Sequence, residues 1–304
     1  MKGYFLLIIG IVFCFLSITG LAGLNAAEPV SVFVSIVPQK YFVESIGGNL
    51  VEVSVMVKPG VNPATYEPKP KQMVSLSKAR IYFAVGVPFE KSWLERIAST
   101  NTDMLVVNTG VGIKKRSMRA HNHYNGKSRH CKEEKKYGIH QEIKDPHIWL
   151  SPPLVILQAR NILQTLVKID PNHSTVYQSN YRKFIDEIVQ LDVELMTLFG
   201  EIKQGIEFMV FHPAWGYFAQ TYGIKQVPVE IEGKEPKPAE LKNLIQYAKA
   251  KKIKVVFVQP QFSTQSAQTI AGAIQGHIVV ANPLAPDWAD NLRRVATMFK
   301  AALK

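Results

Sequence analysis

The sequence predicts an α/β protein: two parallel-sheet α/β domains joined by one long, rigid linker helix. Two observations carry this. Short β-branched runs bounded by Gly or Pro alternate with helical segments in both halves, and strands that alternate with helices pair in parallel. Between the halves, Tyr177, Tyr181, Phe184, Ile188, Leu191, Leu195 and Leu198 recur at helical spacing up to Gly200.

The first stretch reads as a leader. Lys2 precedes an almost purely apolar run from Tyr4 to Ile18, and small residues follow up to Asn25-Ala26-Ala27. These are the three regions of a secretory signal peptide, residues 1–27, with cleavage near Ala27; an uncleaved anchor is the alternative. The expected mature chain is exported, with an N-terminal domain over 28–168, a linker helix over 169–200 and a C-terminal domain over 201–304. Each domain is large enough for its own core.

In the first half, residues 30–37, 50–57, 81–85 and 104–108 read as strands, with helices over 41–46, 73–78 and 93–97. After Asp145-Pro146-His147-Ile148-Trp149-Leu150-Ser151-Pro152-Pro153 the chain turns into helix. Asp170-Pro171 reads as the N-cap and first turn of the linker, and about thirty residues at about 1.5 Å each make a rod of roughly 45 Å. The second half repeats the style, with strands over 208–211, 226–229, 255–259 and 278–281 and helices over 215–222, 238–251 and 264–274. Asp287 reads as the N-cap of a last helix carrying Leu292, Val295 and Phe299.

Formal net charge is +12, and residues 114–144 hold ten Lys/Arg against three Glu. Periodicity disappears there, so 113–144 is predicted to be a mobile surface loop carrying His121, His123, His130, Cys131 and His140. Its aromatic residues do not interleave with the charge as a nucleic-acid surface requires, which excludes that class of partner. Cys131 alone survives cleavage, so no intramolecular disulfide forms and stability comes from packing.

Chemistry concentrates at a few motifs in order. Proline fixes the backbone on one side of His147 and an apolar run on the other, which is how a ligand is positioned. His212 sits where a strand ends and Pro213 begins a helix. The run Val57-Lys58-Pro59-Gly60-Val61-Asn62-Pro63-Ala64-Thr65-Tyr66-Glu67-Pro68, the His-bearing loop, the Asp145-Pro146-His147 motif, Phe211-His212-Pro213-Ala214-Trp215-Gly216 and Asn282-Pro283-Leu284 succeed one another along the chain.

Taken together, this ordered set resembles the substrate-binding proteins of zinc and manganese ABC importers, over essentially the whole mature chain. The resemblance implies a metal cleft between the two domains and delivery of the ion to an ABC permease in the inner membrane. It further implies a periplasmic location, a monomer, and cell adhesion as a family association. Positions 64, 212 and 282 come after strand ends, where open parallel sheets form their binding crevice. Neutral imidazoles suit zinc, whereas paired carboxylates would favour Mn2+.

His147 and His212 match the family's second and third metal ligands. The other two positions depart from the pattern: the usual first histidine is Ala64 and the usual fourth-ligand aspartate is Asn282. Two histidines and a neutral amide leave a divalent charge uncompensated. The candidate replacements are Glu67, Tyr66, Glu230, Gln259, Asp287, a water, or a loop histidine. Asp145 is placed to hold the other ring nitrogen of His147. His121, His123, His130 and His140 are candidates for low-affinity capture of an ion, opposed by the loop's positive charge.

The expected function is thus an extracytoplasmic receptor for a divalent cation, zinc first. One rival is a family member whose cleft has drifted to an organic or anionic ligand, favoured by Ala64, Asn282 and the basic charge. The other is an exported metallohydrolase, opposed by the lack of His-Glu-x-x-His, a nucleophile elbow or a carboxylate pair. The chain is therefore not expected to be an enzyme.

Overall fold

The structure, a computed structural model, describes residues 28–118, 144–231 and 233–303. The predicted signal peptide, Glu232 and all four loop histidines lie outside the described residues.

The N-terminal half begins with β1 (Val30–Ile36), α1 (Val37–Gly47), β2 (Val51–Val57) and α2 (Pro70–Leu76). It continues with β3 (Ile81–Ala84), α3 (Pro88–Thr100), β4 (Leu105–Asn108) and α4 (Pro152–Ile169). Then come α5 (Ser174–Phe199), β5 (Glu207–Val210), α6 (Gly216–Thr221), β6 (Lys225–Pro228) and α7 (Pro238–Ala250). The chain closes with β7 (Val255–Val258), α8 (Gln265–Ala273), β8 (His277–Val280) and α9 (Trp288–Ala302).

Two four-stranded sheets result, ordered β2-β1-β3-β4 and β6-β5-β7-β8, parallel throughout. Both have the same doubly wound order, so each has a switch point between its two central strands, the place where such sheets open a crevice. The central strands β3 and β7 read as continuous apolar runs because helices cover both faces, and both are buried at every residue.

Helices α1 and α3 are longer than their sequence reading. Each has proline in its first turn, where the missing N–H costs nothing, so prolines that read as boundaries in fact begin the helices. The linker helix starts later than expected. Pro171–His173 form a 3-10 turn, and the Asp170 carboxylate bonds His173 Nδ1 and the Tyr177 hydroxyl, 2.7 Å each, instead of capping a helix. The remaining 26 residues of α5 still span about 39 Å.

The halves were expected to have separate cores. Instead one apolar core runs from the first sheet through Phe184, Ile188, Leu191 and Leu195 of α5 to the inner face of the second sheet. A smaller cluster, including Met209, Val229, Val256 and Ile270, covers that sheet's other face. Helix α9 joins the halves a second time: Phe299 packs on Phe208 and Phe257, ring centres 4.4 and 4.6 Å away, while Trp288 meets Phe42 of α1 at 5.1 Å. Among the described residues no helix is long and apolar enough to cross a membrane.

Candidate metal centre

His147 comes from the segment between β4 and α4. Its backbone N–H donates to Asp145 Oδ1 (3.0 Å), and Ile148–Leu150 form a 3-10 turn that buries Trp149. Trp149 Nε1 donates to the Pro283 carbonyl at 2.8 Å, pinning this turn to the second half of the chain. Asp145 is fixed in turn, its N–H donating to the Arg116 carbonyl (2.8 Å) and its carbonyl accepting from the Tyr217 hydroxyl (3.0 Å).

The path to Arg116 is anchored as well. Lys115 reaches the Val85 carbonyl at 2.6 Å, beside Gly86, whose φ of +93° favours glycine. Burial raises Glu90 and lowers Lys115 from their ordinary pKa values, and Glu90 accepts from the Val85 and Gly86 amides. Ser117 and Lys144 pair in an isolated bridge, and Lys144 directly precedes Asp145.

His212 leaves β5 at the switch point of the second sheet. Gln259 grips its backbone from both sides: Oε1 accepts the His212 N–H (3.0 Å) and Nε2 donates to its carbonyl (2.9 Å). Phe262 stacks on the imidazole at 4.5 Å and 18°.

The two imidazoles meet across the cleft with Nε2 to Nε2 at 3.3 Å. Behind His147, Asp145 Oδ1 lies 2.7 Å from Nδ1; behind His212, Glu230 Oε1 lies 2.8 Å from Nδ1. Both carboxylates are buried. A carboxylate accepts, so each ring carries its proton on Nδ1 and turns its Nε2 lone pair inward. Two lone pairs 3.3 Å apart repel unless a proton or a metal cation lies between them. Burial lowers the His147 pKa against the opposing pull of Asp145, which keeps the ring neutral and its lone pair free.

The pair opens on a cavity of about 60 Å³, walled mainly by Pro63, Ala64, Val87, Met118, Trp149 and Leu284, with Gln261 at its edge. No third His, Cys, Asp or Glu joins the pair among the described residues. Glu67 is exposed and outside the cavity, and Asp287 pairs with Arg294 at 2.6 Å on the surface. Tyr66 spends its hydroxyl on Gln72, and both amide atoms of Gln259 are taken by His212. Asn282 Oδ1 accepts from the Leu284 N–H and from Gln261 Nε2. Glu230, a candidate donor in the sequence, holds the outer nitrogen of His212 instead. Nothing in the sequence spacing marks that role, because β6 and its connection separate the two residues.

A family model described as the periplasmic zinc-uptake complex component A (ZnuA) matches residues 32–302. The chain belongs to this family. It is 27% identical over 264 residues to the high-affinity zinc uptake system protein ZnuA of Bacillus subtilis (strain 168), covering 86% of this chain and 80% of that protein. A crystal structure of ZnuA superposes with a TM-score of 0.81 at 40% identity, covering 91% of this chain and all of the other. A zinc-bound ZnuA lacking its residues 138–173 matches equally well, with a TM-score of 0.81 at 39% identity over 91% of this chain and 99% of that one. The 40% identity extends the likeness beyond the fold.

Proposed function

We propose that the chain is an extracytoplasmic receptor that captures a divalent cation, zinc, in the cleft and delivers it to an ABC permease. The observation that carries this reading is the 3.3 Å between the two Nε2 atoms. Two imidazoles on one tetrahedral zinc, with Zn–N about 2.05 Å, lie about 3.3 Å apart. The spacing already present therefore suits two imidazoles on one ion.

Asp145 and Glu230 answer the charge problem that Ala64 and Asn282 raise. Standing behind the imidazoles, they supply two negative charges against the cation's two positive ones, and they strengthen each ring as a donor. The ion then reaches a net-neutral site without a carboxylate in direct contact. Among the described residues the mainly apolar walls offer no carboxylate as a general base, so the same geometry gives little support to hydrolysis. Export through a leader over 1–27, a monomeric state and a periplasmic location complete the proposal.

The test is calorimetric zinc titration of residues 28–304 after metal removal, beside the His147→Ala, His212→Ala double variant. One ion bound by the parent and none at the cleft of the variant is the expected result. Equal affinity in the two proteins would place the ion elsewhere.

A further inference from the structure

We propose that the Gln261 side-chain oxygen is a third donor to the bound cation, taking over the direct oxygen contact that an aspartate at position 282 would make. The inference rests on the metal-receptor reading and names a ligand which that reading lacks.

Gln261 Oε1 is shielded from solvent and has no hydrogen-bond partner among the described residues, although the residue lines the same cavity as His147 and His212. A buried acceptor without a partner is costly and calls for a ligand. The identity of the free atom comes from the network. Asn282 accepts a backbone N–H from Leu284, so the accepting atom is oxygen; the same atom meets the Gln261 amide at 3.1 Å, which must therefore present its NH2 there. That leaves the Gln261 oxygen as the unpartnered end.

Two flanking segments bring Gln261 beside the histidine pair. Gln259 and Phe262, on either side of Gln261, both touch His212, one at its backbone and one at its ring. Asn282 is followed by Pro283, whose carbonyl accepts from Trp149, two residues beyond His147. The Gln261–Asn282 pair thus bridges the turn that holds His212 and the turn that touches the His147 segment. A neutral oxygen also leaves the charge balance set by Asp145 and Glu230 undisturbed, where a direct aspartate would add a third negative charge.

Gln261→Leu keeps the approximate volume and removes the oxygen. Zinc titration against a competing chelator is expected to show affinity weakened by about 10–100-fold, the scale seen when a partner of a metal ligand is lost. Gln261→Glu keeps a donor oxygen there and is expected to bind zinc more tightly than Gln261→Leu. X-ray absorption of the zinc-loaded parent should give two imidazoles plus a protein oxygen, and a zinc-loaded crystal should place Oε1 about 2.0–2.2 Å from the ion. Unchanged affinity in Gln261→Leu, or water alone in the oxygen position, overturns the proposal while leaving the receptor reading intact. Absence of zinc binding in the parent overturns the receptor reading itself.

Discussion

The imidazoles of His147 and His212, 65 residues apart in the chain, face each other Nε2 to Nε2 at 3.3 Å, and each is held from behind by its own buried carboxylate. Each ring is thereby fixed in tautomer and in direction before any ion arrives. An ion entering such a pair meets donors already aligned, so little ordering opposes binding.

The carboxylates should then matter almost as much as the rings they hold. Asp145→Asn and Glu230→Gln keep shape while removing charge and allowing the wrong tautomer. Each is expected to weaken zinc by about 10–100-fold with the fold unchanged. Competition titration alongside far-ultraviolet circular dichroism separates the two effects. Affinity equal to the parent in both variants would show that the carboxylates do not tune the site.

The continuity of the core makes a second prediction. Trp288 Nε1 donates to the Trp149 carbonyl at 2.7 Å, so the last helix ties itself to the turn next to His147. Trp288→Phe leaves that carbonyl buried without its donor and should destabilise by at least about 1–3 kcal/mol. Because one core serves both sheets, the parent should unfold in a single transition, with fluorescence and circular dichroism coincident in denaturant. Two separated transitions would mean that the halves are independent.

The alternation of strands and helices makes both sheets legible in the sequence, and aromatic periodicity makes α5 legible, because those patterns are local. Proline misleads for the same reason: at Pro38 and Pro88 a local rule says boundary, whereas the residues beyond each proline continue as helix. His147 and His212 are legible through motif order. The role of Glu230 behind His212, the place of Gln261 and the shared core are not, since each depends on contacts made across β6, across the β7 turn or across the cleft. No window of neighbouring residues contains those contacts.

Acid should weaken the fold through Glu207. Burial pushes its pKa up, but hydrogen bonds from Lys225 (2.8 Å) and Tyr247 (2.5 Å), with the Lys225 and Lys251 charges, outweigh this and bring it below the ordinary 4.5. The folded value is thus lower than the unfolded one, so the contribution is complete above about pH 4.5 and disappears as pH falls through the folded value. Glu207→Gln should be less stable than the parent at pH 7, and the difference should shrink as the pH falls below about 4.5. Denaturant titrations at several pH values read this directly; a constant difference would locate the effect in packing.

Ala64 offers the reverse experiment, a gain of binding. It lies in the wall of the cavity on which the imidazole pair opens, and its N–H is already fixed by Asn62 Oδ1 at 2.8 Å, so the turn keeps its shape whatever the side chain. The position is exposed, which leaves space for a ring. Ala64→His adds a third neutral imidazole to a site whose charge is already balanced by Asp145 and Glu230. Zinc affinity should rise by at least about tenfold, a gain of about 1.4 kcal/mol. Combining Ala64→His with Gln261→Leu should recover affinity lost in the single Gln261→Leu variant, because one donor replaces another on the same ion. Failure of Ala64→His to tighten binding would mean that position 64 does not reach the cation, and that the ion sits deeper, between the rings and Gln261.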